Sequence, residues 1–283
     1  MTARPIPAVS VISGGTALNS ILRVFDNYRT SYILSVSDNG GSSSEILRVL
    51  GGPSIGDIRS RLVRVVPTLK SGPSGIWTED DGAVATQRLL AYRLGYDEDI
   101  VQVKEEYHEI LEGIHWLWKD IPQDKKECIR SFLVHFNSQI LHRAHKRFDF
   151  RNASIGNMFL SGSQMFFRNL ESAIFLFGAI TGIPPTIKVI PAIHTNHRTT
   201  IAAILRDKTI HTGQCAISHP AAHDKAPSSL QHDRADSWSA SSNVKYDKRG
   251  SAKDKLSSPI EHLYYINEYG QEVCYTKILR AKY

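Results

Sequence analysis

Two aspartates and one arginine pose the chemical question in this chain. Asp38 closes an apolar run, Asp57 opens a helix-like segment, and Arg59 follows two positions later. All three fall in the stretch from Ser31 to Val66, SYILSVSDNGGSSSEILRVLGGPSIGDIRSRLVRVV, where each acid stands beside a turn rich in glycine and serine. Such a turn ends a buried strand and opens a helix whose first N–H groups have no intrahelical acceptor, and those donors are what a phosphate needs. A carboxylate beside a bound phosphate is repelled unless a cation stands between them, so the two acids suit a magnesium ion shared with phosphate oxygens. Asp is also a common helix N-cap, and for either residue taken alone that role is an equal alternative.

The elements that must hold these residues are legible in outline. Ala8 to Ser13 is a short β-branched run bounded by prolines and by Gly14-Gly15, a first strand. Leu18, Ile21, Leu22 and Phe25 then recur at helical spacing, and Tyr32 to Val36 reads as a second strand ending at Asp38. Strand, glycine turn, helix, strand is the opening of a doubly wound sheet, which binds its ligands at the carboxyl ends of the strands. Gly14, Gly15 and Thr16 permit close backbone approach to a phosphate, or simply make a tight turn. Asp38 stands at about the spacing of a ribose-binding acid, yet the third glycine of the dinucleotide fingerprint is missing, so a nucleotide phosphate ranks above NAD.

Further along, Glu79-Asp80-Asp81 marks a helix start, with Val84, Leu89, Leu90 and Leu94 facing inward. Amphipathic helices are predicted over 99–119 and 123–147, with Trp116, Trp118, Phe132 and Phe136 as core aromatics. RNASIGNMFL, from Arg151 to Leu160, places a small polar turn before a long apolar helix. Ser154 there is read as a cap and Gly156 as a close-packing residue, with anion binding by the turn as the alternative. Three β segments follow at 186–193, 199–205 and 209–217, the last two joined through Asp207-Lys208 as a hairpin. His194 and His197 have no third ligand nearby and are not read as a metal site. Residues 218–258 are polar and poor in apolar side chains, a disordered surface insertion, and a strand resumes near His262.

Composition narrows the class. No apolar run approaches a membrane span, and the first residues lack the layout of a signal peptide, so a cytoplasmic protein is expected. Three widely spaced cysteines indicate neither a disulfide framework nor a zinc site. The net charge of +6 is concentrated in two local clusters with no nucleic-acid-binding motif, which argues against nucleic acid as a partner. A homo-oligomer is left open.

The succession VISGGTA, VSDNGGSS, GDIRSRLV, RNASIGNMFL, VIPA and INEYGQEV resembles the CofD/YvcK family, the 2-phospho-L-lactate transferases of deazaflavin cofactor synthesis and the YvcK-type gluconeogenesis factors. The resemblance implies a Rossmann-like, three-layer α/β fold with a mainly parallel sheet. It spans a single domain over 1–283, with a helical elaboration near 70–148. For function it implies binding of a phosphate-containing nucleotide conjugate and a magnesium-dependent transfer of a phosphorus-containing group, in which an acceptor hydroxyl attacks an activated phospholactyl nucleotide and releases the nucleoside monophosphate. The alternative, on the YvcK side, is a non-catalytic UDP-sugar-binding regulator. By motif position, Asp38 and Asp57 would be the metal-linked acids, with Arg59 beside them at the reacting phosphate. Gly14, Gly15, Thr16, Ala17, Asn39, Gly40, Gly41, Ser42, Ser43, Ser154, Gly156 and Asn157 would line the nucleotide and phosphate pocket. Family members usually continue through a further strand and a Gly-Ser-Leu-Tyr-Thr-Ser type loop that is absent here, so a C-terminally incomplete domain is expected.

Overall fold

The computed structural model describes residues 6–14, 18–26, 28–37, 43–71, 77–218, 255–267 and 269–273. The β-branched segment β1 (Ala8–Ile12) pairs in parallel with β2 (Arg29–Leu34), Val11 standing opposite Tyr32. Between them lies not the α-helix expected from the Leu/Ile spacing but a 3-10 turn, Asn19–Phe25, held by i to i+3 bonds such as Ile21 N–H to the Leu18 carbonyl at 3.1 Å. Seven residues opening on Asn and Ser and carrying Val and Phe are too few and too poor in helix formers to nucleate an α-helix.

After β2 the chain forms α1 (Ser43–Val49) and α2 (Gly56–Arg64). A small hairpin follows, β3 (Leu69–Ser71) with β4 (Trp77–Glu79), which the sequence reading did not anticipate. The acidic triplet then does what the helix dipole favours: Asp80 caps α3 (Asp81–Ala91) by accepting the Ala83 N–H at 3.3 Å. The helix predicted over 99–119 is α4 (Ile100–Glu112), and it stops where Gly113 takes a left-handed φ of 80°. Trp116–Trp118 follow in a 3-10 turn in which Trp118 is buried and Trp116 is 57% exposed, so Trp116 is not the core residue expected of it. It lies on the surface under Arg88, 5.7 Å from the ring centroid, and edge-on to Tyr92. The helix α5 (Gln123–Leu141) ends six residues short of its predicted end, because residues 142–147 offer only basic and small side chains and no apolar face to bury.

Two helices capped in the same way come next. Ser154 caps α6 (Ile155–Phe167) and Asn169 caps α7 (Leu170–Thr181), which Gly182 terminates at φ 73°. The strand β5 (Ile187–Pro191) then returns to pair in parallel with β2, Val189 opposite Tyr32, completing a parallel sheet of order β1-β2-β5. The predicted hairpin is present: β6 (Thr200–Leu205) turns through Asp207 and left-handed Lys208 into β7 (Ile210–Thr212). The third β segment ends there, since Gly213 at φ 96° turns the chain into the short α8 (Gln214–Ser218). With β8 (Ile260–Ile266) and β9 (Glu272–Val273) these strands make a second, antiparallel sheet of order β7-β6-β8-β9. Most of the polar tract read as an insertion, residues 219–254, lies outside the described residues.

The fold is therefore a mixed α/β architecture with a parallel sheet, as the opening strand–turn–helix pattern implied. Its core gathers Tyr32 and Leu34 of β2 and Val36 just beyond it with Ile58 and Leu62 of α2, Leu89 and Leu90 of α3, Phe136 of α5 and Phe159 of α6. The helices of the 70–148 region share that core. Gly162 of α6 allows α5 so near that a Cβ there would stand 2.3 Å from the Phe132 carbonyl oxygen.

Candidate functional site

At the carboxyl end of β2 the chain leaves the sheet and comes back. The Ser54 N–H donates to the Val36 carbonyl at 2.9 Å, which ties the segment before α2 to the end of the strand. This bond sets the N-terminus of α2 at the strand end, where a doubly wound sheet receives ligands. That N-terminus has no side-chain cap. Its N-cap position is Ile55, and Asp57 lies half-buried inside the first turn, where the helix dipole favours a carboxylate.

The N-termini of α1 and α6 meet it there. A Cβ on Gly56 would fall 2.4 Å from Ser43 Oγ, so glycine is what allows the starts of α1 and α2 to touch. Asn157, in the first turn of α6 and fully buried, ties the three together. Its Oδ1 accepts Arg59 Nε at 3.0 Å, its Nδ2 donates to Ser43 Oγ at 3.5 Å, and its own N–H donates to Ser154 Oγ at 3.4 Å. The amide orientation is forced, because guanidinium Nε can only donate. Gly156 serves both sides of this junction: a Cβ would lie 2.2 Å from the Leu90 carbonyl oxygen and 3.0 Å from Arg59 Cγ and Cδ.

The α6 terminus spends its amides internally. Ile155 N–H goes to the Tyr92 carbonyl at 3.1 Å, in a short antiparallel register that also bridges Arg93 with Ser154. The predicted third turn thus builds the site, with Ser154 as cap and Gly156 as close-packing residue, and it does so by holding Arg59. This pairing brings Arg93 towards Arg59 from the end of α3. Burial first, and then the like charges of Arg93 and Arg64, lower the Arg59 guanidinium from its ordinary value to about 10. A cation held at 7% exposure among other cations is a place that favours an anion.

Gly14 extends beyond β1, exposed, with an ordinary backbone and nothing within 4 Å of where a Cβ would stand. Gly15, Thr16 and Ala17, and Asp38, Asn39, Gly40, Gly41 and Ser42, lie outside the described residues. Of the predicted site residues the structure therefore brings together Ser43, Asp57, Arg59, Ser154, Gly156 and Asn157. Near the same strand ends, Ser13 Oγ and Ser54 Oγ are buried without a hydrogen-bond partner, two hydroxyls that the sequence reading passed over. It also passed over Arg93, which is 34 positions from Arg59 and unsignalled by any local pattern, and Arg61, whose guanidinium is fully buried. Arg61 shares its motif with Arg59, but its side chain lies over the Tyr32 ring at 5.0 Å.

No three His, Cys, Asp or Glu side chains cluster among the described residues. A divalent cation at this junction would draw on the Asp57 carboxylate and on oxygens of a bound phosphate. That donor set suits magnesium, which is commonly held by one or two carboxylates and substrate phosphates.

The chain belongs to the family described as 2-phospho-L-lactate transferase CofD, whose model matches residues 9–276. It is 36% identical over 306 aligned residues to an uncharacterized protein of Saccharomyces cerevisiae, a match that covers 94% of this chain and 65% of the yeast protein. The chain thus spans just under two thirds of that relative's length. Two crystal structures of a Bacillus halodurans protein, one of them described as a member of the UPF0052 family, align with TM-scores of 0.45 and 0.43. Each is 20% identical and covers 75% of this chain and 47% of the other. No helix among the described residues is long and apolar enough to cross a membrane.

Proposed function

We propose that the junction of α1, α2 and α6 binds the phosphate groups of a nucleotide conjugate, and that the protein is a transferase of phosphorus-containing groups of the phospholactate-transferase type. The observation that carries this reading is the meeting of three helix N-termini on Asn157 and Ser43, with Arg59 held buried among cations. The start of α2, where the N-cap residue Ile55 offers no polar side chain, and the helix dipole favour a phosphate, and Arg59, already oriented by Asn157, would meet its charge without reorganisation. The glycine at position 14, which neither packing nor backbone conformation demands, leaves room for a ligand to approach the end of β1. In this reading Asp57, with Asp38, would hold magnesium, and the ion would supply neutralisation of phosphate charge. The remaining work falls to the chain itself: Arg59, held by Asn157 beside Ser43, stabilises charge on the transferred group.

A thermal-shift panel with UDP-N-acetylglucosamine, UDP-glucose, GTP, GDP and NAD, each with magnesium and with chelator, tests it. A ligand present at about 100 times its dissociation constant adds roughly 2.7 kcal/mol to folding. Magnesium-dependent stabilisation by a guanine nucleotide, together with turnover that Asp57→Asn abolishes while leaving the fold intact, is the expected result. Stabilisation by a UDP-sugar with no product by mass spectrometry would instead make the protein a nucleotide-sugar-binding regulator. Stabilisation by none of them contradicts the anion reading.

A further inference from the structure

The helix α5 turns one face to solvent, and that face is graded in charge. Glu127, Ser131, Val134, Ser138 and Leu141 recur at i, i+4, i+7, i+11 and i+14, one stripe along the helix. Exposed Asp124 and Glu127 stand at its start, and residues 142–147, HRAHKR, all exposed, follow its end. Between the charges the stripe is apolar. Val134 is 48% exposed and Leu141 73%, and the last turn of α6 adds Phe166 at 61%. Here lies an open groove of about 440 Å³, lined by Phe132, Val134, His135 and Phe166 with Ser131 and Ser138, and its exposed lining is almost wholly apolar.

The groove is a preformed surface. Phe166 meets Phe132 and His135 edge-on, with ring centroids 5.5 and 5.7 Å apart, and Phe167 at 5.2 Å. Rings interlocked in this way lose little freedom when a partner covers them. The basic run is pinned through its backbone: the His142 N–H donates to the Ser138 carbonyl at 3.1 Å, and the Arg48 side chain donates to the Arg147 carbonyl. Its charges stay uncompensated. Among the described residues Arg143, Lys146 and Arg147 form no ion pair, and the carboxylates of Glu45 and Asp149 are held by Arg48 and Arg151. None of these residues takes part in the phosphate junction.

We propose that this face docks an amphipathic helix of a partner protein, with its apolar side over Val134, Leu141 and Phe166 and its acidic end over residues 142–147. Charge complementarity sets the occupant. An anionic membrane or a nucleic acid meets repulsion at Asp124 and Glu127, whereas a helix of graded charge matches both ends of the stripe. A helix carries acids best at its N-terminus and bases at its C-terminus, so the partner lies antiparallel to α5. The stripe from Glu127 to Leu141 rises about 21 Å, which about four turns of the partner cover.

The probe is a fluorescent helical peptide of about five turns, with leucines along one side, glutamates in its first turns and lysines in its last. A second peptide with the charge order reversed is the control. Anisotropy titrations use the wild-type chain, Phe166→Ser and the double variant Arg143→Gln/Arg147→Gln, all at exposed positions. Val134→Asp, on the other helix, serves as groove variant if Phe166→Ser lowers the unfolding midpoint. The expected result is that the wild type binds the first peptide at least about tenfold more tightly than the reversed one, and that each variant loses about tenfold or more. Added salt weakens wild-type binding. Absence of peptide binding, equal affinity for the two peptides, or binding that survives the groove substitutions overturns the proposal. Binding of phosphatidylserine vesicles or single-stranded RNA in place of the peptide, lost only in the arginine variant, also overturns it and assigns the basic run to an anionic surface. Self-association of the wild type in sedimentation, abolished by Phe166→Ser, overturns it in favour of a second copy as the occupant.

Discussion

Asn157 is the residue on which the site depends, and its role is a matter of hydrogen-bond arithmetic. It gives one acceptor to Arg59 and donors to Ser43 and Ser154, all inside the protein. Asn157→Ala strands buried polar groups and should cost about 1–3 kcal/mol of stability, with a matching loss of phosphate affinity because Arg59 loses its anchor. Denaturant titration and calorimetry with pyrophosphate check the two losses together. Arg59 also predicts a pH dependence. Its folded-state value, lowered to about 10 from the ordinary guanidinium value, means that the unfolded chain binds that proton more tightly. Its contribution to folding is therefore unfavourable below about 10 and is relieved as pH rises between the two values. Its contribution to anion binding runs the other way, steady from neutral pH to about 9 and lost above 10, a loss absent from Arg59→Gln. Arg61 makes the opposite case. All three guanidinium nitrogens are buried without a hydrogen-bond partner over Tyr32, and burial lowers its basicity. Arg61→Met should leave the unfolding midpoint unchanged or raise it, since an apolar side chain of similar length removes an unsatisfied buried charge. A marked fall would mean that the cation holds the sheet face through its ring contact.

At the scale of elements, what could be read from the chain was whatever has a local cause. The start of α2 at Gly56, the Asp80 cap of α3, the Ser154 cap of α6 and the Asp207-Lys208 turn are each written in a few adjacent residues. The misreadings came from helical spacing without the length or composition to sustain it, in the 3-10 turn Asn19–Phe25 and in the tail after Leu141. An aromatic residue on a predicted helix reads as core, but Trp116 stands exposed beside Arg88 and Tyr92, which sequence spacing does not bring near. Gly156 was legible as a close-packing glycine, but what it packs against, the Leu90 carbonyl at the end of α3, is 66 positions away. Gly156→Ala places a Cβ 2.2 Å from that oxygen, and the overpacking should cost about 1–3 kcal/mol. It should also displace Arg59. Urea unfolding together with pyrophosphate binding reports both; an unchanged affinity would show that Arg59 does not depend on this contact.

The whole molecule rests on pairings that no local pattern announces. β2 is the middle strand because β5, more than 150 residues later, returns beside it, and the three helix N-termini converge because Ser54 ties back to Val36 while the 92–95 segment pairs with the start of α6. The motif order suggested such a gathering, and the distances come only from the fold. Phosphate binds at this gathering under the proposed function, and amide hydrogen exchange with and without GDP or UDP tests that most directly. Binding should slow exchange in peptides covering 43–47 and 56–60, the helix starts that the proposal sets against the phosphates. Peptides covering 155–160 should barely change, because the start of α6 already gives its amides to Tyr92 and Ser154. Protection that appears elsewhere in the chain, with 43–47 and 56–60 unchanged under saturating nucleotide, would contradict the account.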